Sequence, residues 1–326
     1  MSAPVPLVRV VRSGLEESVH LGHVAVCDAD GRLLARAGDE ARQVFIRSCT
    51  KPLQAAVSLG AIGEEDLPDR EVAVMCASHN AEPVHLGAVR SILDRAGLGP
   101  EHLRTPPAFP IDPDEMARAQ LRHPLFSDCS GKHAGMLLAC VRSGWETASY
   151  PRRSHPLQRR VLRAVERATG RNDLRVGVDG CGVPVHGVPL RAVATLYARL
   201  GTADRLGDLE PHVARATTAM RAQPYLVGGR GRVDTTVMQT VDGILAKEGA
   251  EALVCVSVPD RGLGVAVKVA DAGFRACGPA IVEVLRQLDV LDAAQVRSLD
   301  PVAHPPVLGG GVRVGQLEPV VTLRRR

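Results

Sequence analysis

Strand-like patterns occupy both ends of this chain and helical patterns its middle, an order that admits few folds. Leu7–Val11 and Val19–Cys27 alternate apolar and polar positions, and Asp28-Ala29-Asp30-Gly31 reads as a hairpin turn into Arg32–Ala37. Near the other end, residues 251–259 and 263–270 form an expected antiparallel pair turned by Asp260-Arg261-Gly262. Helical patterns run over about 48–60, Val84–Ala96, Asp114–Arg122, Gly131–Ser143 and Pro156–Thr169, with a proline-rich connector from Pro100 to Pro113. A short strand at Arg175–Asp179, two helices within 190–222, one at Thr235–Lys247 and one at 277–289 complete the pattern. The fold class is therefore α+β: one antiparallel sheet built from both termini, with a helical lobe inserted. The expected lobes are 1–46 plus 185–326 for the sheet and 47–184 for the helices. No internal repeat or low-complexity segment interrupts them.

Composition narrows the partners. At 326 residues and 45% hydrophobic, the chain has the make-up of a globular protein with a large core. Its net charge of +4 is scattered, with a run only at Arg324-Arg325-Arg326, and aromatics at 2% are too few for base-stacking platforms. Nucleic acid is not an expected partner. No stretch approaches the roughly 18 apolar residues of a membrane span, and no export signal opens the sequence, so a cytoplasmic location is expected. Eight cysteines then read as free thiols or metal ligands, not as a disulfide framework.

The chemistry gathers at Arg47-Ser48-Cys49-Thr50-Lys51-Pro52. Serine and lysine three residues apart share a helix face, with about 5–6 Å between their Cβ atoms. A neutral Lys51 could take the Ser48 hydroxyl proton and make it a nucleophile. Pro52 is tolerated only in a first helical turn, which places the pair at a helix start. By itself S-x-x-K is a weak signal, and taken alone it reads more readily as an N-cap serine followed by a solvated lysine. Two later motifs strengthen the catalytic alternative: Ser78-His79-Asn80 gives S-x-N, and Lys247-Glu248-Gly249 gives K-x-G. That order resembles the serine β-lactamases and penicillin-binding proteins, and the related glutaminases.

Two further cysteines lie in glycine-rich polar settings, Asp128-Cys129-Ser130-Gly131-Lys132-His133 and Asp179-Gly180-Cys181-Gly182-Val183-Pro184. Cys129 and Cys181, with Lys132 or His133, could form a thiolate-rich site that suits zinc; the alternative is two buried, inert thiols. His79 and His133 flank motif residues, where structural histidines are common. Asp234-Thr235-Thr236 reads as a helix cap, and Gly228–Arg232 as a flexible basic loop without the context of a phosphate loop.

Taken together, Arg47–Leu53, Cys76–His85, Asp128–Leu138, Val178–His186, Pro224–Met238 and Lys247–Glu251 resemble the asparaginase II family, the Rhizobium-type L-asparaginases. The resemblance implies a glutaminase and serine β-lactamase-like fold, hydrolysis of L-asparagine to aspartate and ammonia, and a homodimer. It implies two serine–lysine pairs, Ser48 with Lys51 and Ser78 with Lys247, Lys268 being the competitor for the second lysine. It puts zinc on Cys129, Lys132 and Cys181, and substrate contacts on Arg47, Asn80, Asp179 and His133. The alternatives are another serine amidohydrolase, acting on glutamine or a β-lactam, and a non-catalytic zinc-binding protein.

Overall fold

A computed structural model describes residues 3–63 and 66–326. In chain order the strands are β1 (Val5–Arg12), β2 (Leu15–Asp28), β3 (Leu33–Ala37), β4 (Gln43–Phe45), β5 (Arg175–Val178), β6 (Pro184–Pro189), β7 (Leu245–Gly249), β8 (Leu253–Val258), β9 (Leu263–Val269), β10 (Pro306–Gly309), β11 (Val312–Pro319) and β12 (Arg324–Arg325). The helices are α1 (Lys51–Ile62), α2 (Asp69–Met75), α3 (Pro83–Ala96), α4 (Pro113–Arg118), α5 (Ser130–Arg142), α6 (Pro156–Thr169), α7 (Leu190–Thr202), α8 (Glu210–Ala222), α9 (Pro224–Val227), α10 (Val233–Thr240), α11 (Cys277–Gln287), α12 (Ala293–Ser298) and α13 (Asp300–Ala303).

The main sheet is antiparallel and runs β10-β11-β1-β2-β9-β8-β7, with β3 also paired to β2 and β12 to β3. Both termini contribute to it, as the alternation at the chain ends predicts. Every residue of β8 is buried, so the sheet is covered on both faces there. Helix α7 lies so close over β9 that a methyl at Gly264 would stand 1.9 Å from the Ala194 carbonyl oxygen. A second, small sheet, β4-β6-β5, joins the residues just before the S-x-x-K motif to those just after Cys181.

The helical layer packs α1 against α5, α6 and α8, and α2 against α5 and α8. Helix α5 enters through Gly131, where an added Cβ would lie 2.1 Å from the Val74 carbonyl oxygen. This glycine lets the Cys129–His133 segment press against α2. The helix expected over Thr235–Lys247 is corrected: α10 ends at Thr240, Gly243 turns the chain with a φ of 79°, and Lys247 lies on strand β7. Expected helix Asp114–Arg122 shortens to α4, and α2 was not anticipated. Among the described residues, no helix is long and apolar enough to cross a membrane.

Candidate active site

Strand β4 delivers the chain to Arg47, whose φ of 52° is left-handed. That conformation costs a non-glycine residue about 1–2 kcal/mol, and the Arg47 side chain is fixed by donating to Asp179 Oδ1 at 2.7 Å. Residues Arg47–Thr50 form a 3-10 turn in which the Lys51 N–H donates to the Ser48 carbonyl. Positions i and i+3 eclipse in such a turn, which puts the Ser48 and Lys51 side chains on one face. Pro52 sits in the first turn of α1, where its missing N–H costs nothing.

The Lys51 amine is buried, 1% exposed. It donates to the Ala77 carbonyl at 2.6 Å, the Ser78 hydroxyl at 2.9 Å, and Asp128 through its carbonyl at 3.3 Å and Oδ2 at 3.4 Å. Three acceptor residues match the three N–H bonds of an ammonium. Burial alone would lower the Lys51 pKa, but negative charge on Asp128 outweighs burial and the net shift is upward. An uncharged Lys51, the sequence-based expectation, is therefore corrected: its resting form is the ammonium. Asp128 responds in kind. Burial pushes its carboxyl up, the Lys51 charge overrides that, and the pKa falls to about 2. Among the described residues, no group hydrogen bonds the Ser48 hydroxyl.

The second expected pair is not formed. Lys247 is fully buried, and its amine donates to Asp234 Oδ2 at 2.5 Å and to the Glu248 carbonyl at 3.0 Å, not to Ser78. Asp234, read from sequence as a cap, is the counter-ion of this lysine and also accepts from the Glu248 amide at 3.1 Å. Lys268 turns elsewhere, donating to the carbonyls of Glu251 and Val269. The glycine of K-x-G has a packing reason. A Cβ on Gly249 would lie 2.9 Å from Cys49 Sγ, so β7 abuts the Arg47–Thr50 turn only because the side chain is absent.

Ser78, His79 and Asn80 follow α2 as an irregular segment tied to α9, with Ser78 N–H donating to Val227 O and Asn80 N–H to Gly228 O. His79 is a structural histidine: Nδ1 accepts from the Ala81 amide and Nε2 bonds Ser130 Oγ at 3.0 Å. Complete burial drives its pKa well down, so it stays neutral. Asn80 Nδ2 donates to the Arg230 carbonyl, and its Oδ1 accepts from Arg232 at 3.3 Å.

Beside this centre lies the cysteine cluster. The Cys129 thiol donates to the Cys181 sulfur, raising its own pKa and lowering that of Cys181. Lys132 Nζ donates to Cys181 Sγ at 3.1 Å, and burial, which lowers the lysine pKa, is outweighed chiefly by the Cys181 thiolate. His133 Nδ1 is 2.5 Å from the Tyr150 hydroxyl, and the buried imidazole also meets the Cys181 thiol. Among the described residues, no three His, Cys, Asp or Glu side chains are grouped to hold a metal. A zinc would thus depend on Lys132 as third donor; with two adjoining sulfurs, that amine and the imidazole beside Cys181, the residues fit such an ion.

Ser48 and Ser78 both line one cleft of about 630 Å³, together with Asp128, Arg232 and Glu248, and an apolar wall that includes Phe274 and Pro279. Among the described residues, Asn80, Arg47, Asp179, His133 and the cysteine cluster stand outside that wall. Asp128, Asp234, Arg232 and Glu248 were not singled out from sequence as site residues; the signal for two of them was adjacency to a motif, Asp128 to Cys129 and Glu248 to Lys247.

The family model for L-asparaginase II matches residues 8–319. The chain belongs to the L-asparaginase II family. Membership supports an amidohydrolase. No curated protein matches the sequence. Similar solved structures include a β-lactamase from Mycobacterium bovis, 19% identical with a TM-score of 0.46, covering 83% of this chain and 95% of its own. A putative β-lactamase from Bacteroides dorei is 13% identical with a TM-score of 0.44, covering 82% and 93%. The simvastatin synthase of Aspergillus terreus is also 13% identical, with a TM-score of 0.42 and the same coverage.

Proposed function

We propose that this family member hydrolyses the side-chain amide of L-asparagine to L-aspartate and ammonia by a two-step acyl transfer. The observation that carries the reading is the Lys51 amine, one 3-10 turn from Ser48 and 2.9 Å from Ser78, beneath a cleft that both serines line. Once Lys51 has lost its proton, the Ser48 oxygen attacks the amide carbon and the hydroxyl proton passes to the amine. Ser78, bonded to the same amine, hands a proton to the leaving nitrogen, which would otherwise depart as a very poor anion. Water then attacks the ester by the reverse path, releasing aspartate and restoring Ser48. Lys247 and Asp234 hold β7 and Glu248 in place behind the cleft, a supporting role.

A second assignment exchanges the serines, because the 2.9 Å contact makes Ser78 the hydroxyl already in touch with the base. One experiment tests the reaction and separates these. Hydroxylamine added during turnover competes with water for an ester, so aspartyl hydroxamate forms beside aspartate. Hydroxamate formation, with an aspartyl ester found on a Ser48 peptide when turnover without hydroxylamine is quenched in acid, is the expected result; an ester on Ser78 favours the exchange, and hydrolysis without hydroxamate overturns acyl transfer. Glutamine and a β-lactam run in parallel separate asparaginase from another serine amidohydrolase.

The raised pKa of Lys51 has a kinetic sign. The ammonium must lose its proton before it can act as base, so kcat/KM climbs with pH along the Lys51 titration. Asp128→Asn removes the largest influence holding that pKa up, burial then pulls it down, and the rising limb moves to lower pH. A pH–rate profile checks this: an unmoved limb, or one moved upward, would exclude Lys51 as the base.

Zinc, if held, would sit on Cys129, Lys132 and Cys181, where two thiolates leave a cation little Lewis acidity. Its role would be to hold the cluster together and orient substrate from beside the cleft, apart from the proton transfers assigned to Lys51 and Ser78.

A further inference from the structure

The cleft wall carries an ion pair that the reaction itself does not use. We infer that Arg232 and Glu248 are the recognition pair for the α-carboxylate and α-ammonium of a free amino acid, so that the site selects zwitterionic amides over simple ones. This inference rests on the reading of the cleft as an amide hydrolase.

Arg232 Nε donates to Glu248 Oε2 at 3.0 Å, with the two side chains 18% and 6% exposed. Arg232 Nη1 donates to Asn80 Oδ1 at 3.3 Å, and Glu248 Oε2 also accepts from the Val233 amide at 3.2 Å. Among the described residues, Arg232 Nη2 and Glu248 Oε1 have no partner, and both residues line the cleft beside Ser48 and Ser78. Neither atom is among the buried side-chain atoms that lack a partner, so both face the cleft and are free to meet a ligand. A ligand bearing both charges on one carbon would meet both. Guanidinium suits a carboxylate, and the opposed carboxylate suits an ammonium.

Position supports the match. Asn80, which holds Arg232, follows Ser78 by two residues, at most about 7 Å of chain. The amide carbon of asparagine lies two bonds from its α-carbon, and the pair and both serines face the same cleft. Burial and the neighbouring Asp234 charge push the Glu248 pKa up, a disadvantage that a bound cation would offset. The other arginine pairs are less suited. Arg47 stands outside the cleft wall and is engaged by Asp179. Arg275 lines the cleft but donates to His20 Nε2 and to Ser18.

The test compares L-asparagine with succinamic acid, which lacks the α-ammonium, and 3-aminopropanamide, which lacks the α-carboxylate. Glu248→Gln keeps the shape and the contact to Arg232, and is expected to collapse the preference for asparagine over succinamic acid by about 100-fold. Arg232→Gln is expected to do the same for asparagine over 3-aminopropanamide. A ratio of two substrates on one preparation does not depend on how much protein is folded, so partial misfolding cannot imitate the result. An equal loss on all three amides in both variants would overturn the inference. Calorimetric binding of L-aspartate, succinate and β-alanine gives a readout free of turnover. If aspartate binds in a manner that needs both residues while asparagine is not hydrolysed, the recognition pair stands and the proposed reaction falls. If aspartate binding is unchanged in both variants, or absent from the wild type, the inference falls.

Discussion

With Lys51 replaced by methionine, ammonia release from asparagine will fall by about 10³- to 10⁴-fold. Methionine keeps the apolar stem but presents no amine, so Ser78 and Asp128 lose the donor that joins them and Ser48 loses its base. Acceptors on three residues are left short of a partner, those on the partly exposed Asp128 among them, and a stability loss of about 1–3 kcal/mol is expected. That loss is readable in urea and small enough to leave a folded protein. Lys51→Arg sharpens the test. Arginine keeps the positive charge opposite Asp128 but cannot act as a base at any working pH. Loss of activity in both variants identifies proton transfer as what Lys51 supplies. Activity retained in the arginine variant would reduce the residue to an electrostatic support.

The second large effect concerns folding. Asp234→Ala will destabilise the protein by about 3–5 kcal/mol, because it strands the Lys247 charge in a fully buried site. The Glu248 amide loses an acceptor in the same step. Replacing both members, Asp234→Asn with Lys247→Met, removes the stranded charge and is expected to recover most of the loss. Denaturant midpoints for wild type, Asp234→Asn, Lys247→Met and the double variant check this, and additive losses in the double variant would contradict the pairing. The linkage sign is definite. Burial works to raise the Asp234 pKa, the Lys247 and Arg232 charges override it, and the net shift is downward from 3.8. The pair's stabilisation is thus present above about pH 4 and is lost as pH falls through the lower folded-state value.

What could be read from the sequence was local. Ser48 and Lys51 are three residues apart, and a helical turn of any kind puts such residues on one face. The strands at the chain ends were legible for the same reason, since alternation over five residues needs no knowledge of a partner. The long-range facts were not. That Lys51 bonds Ser78, and that Asp128 closes the same ammonium, depends on how α2 and α5 meet α1, and no spacing encodes it. Lys247 shows the cost of carrying a pattern too far. Thr235–Thr240 is helical, but Asp242-Gly243 is a turn signal that separates it from the strand bearing the lysine. Asp234 read as a cap because a carboxylate at a helix start is an ordinary cap; its bond to a lysine thirteen residues on is a product of the tertiary fold.

The most direct measurement is ammonia release from L-asparagine by the purified protein, with Ser48→Ala and Ser78→Ala beside the wild type. Turnover by the wild type and a fall of about three orders of magnitude in each variant is the predicted result. Wild-type rates from the Ser48→Ala protein and from the Ser78→Ala protein would contradict a serine–lysine origin for the chemistry.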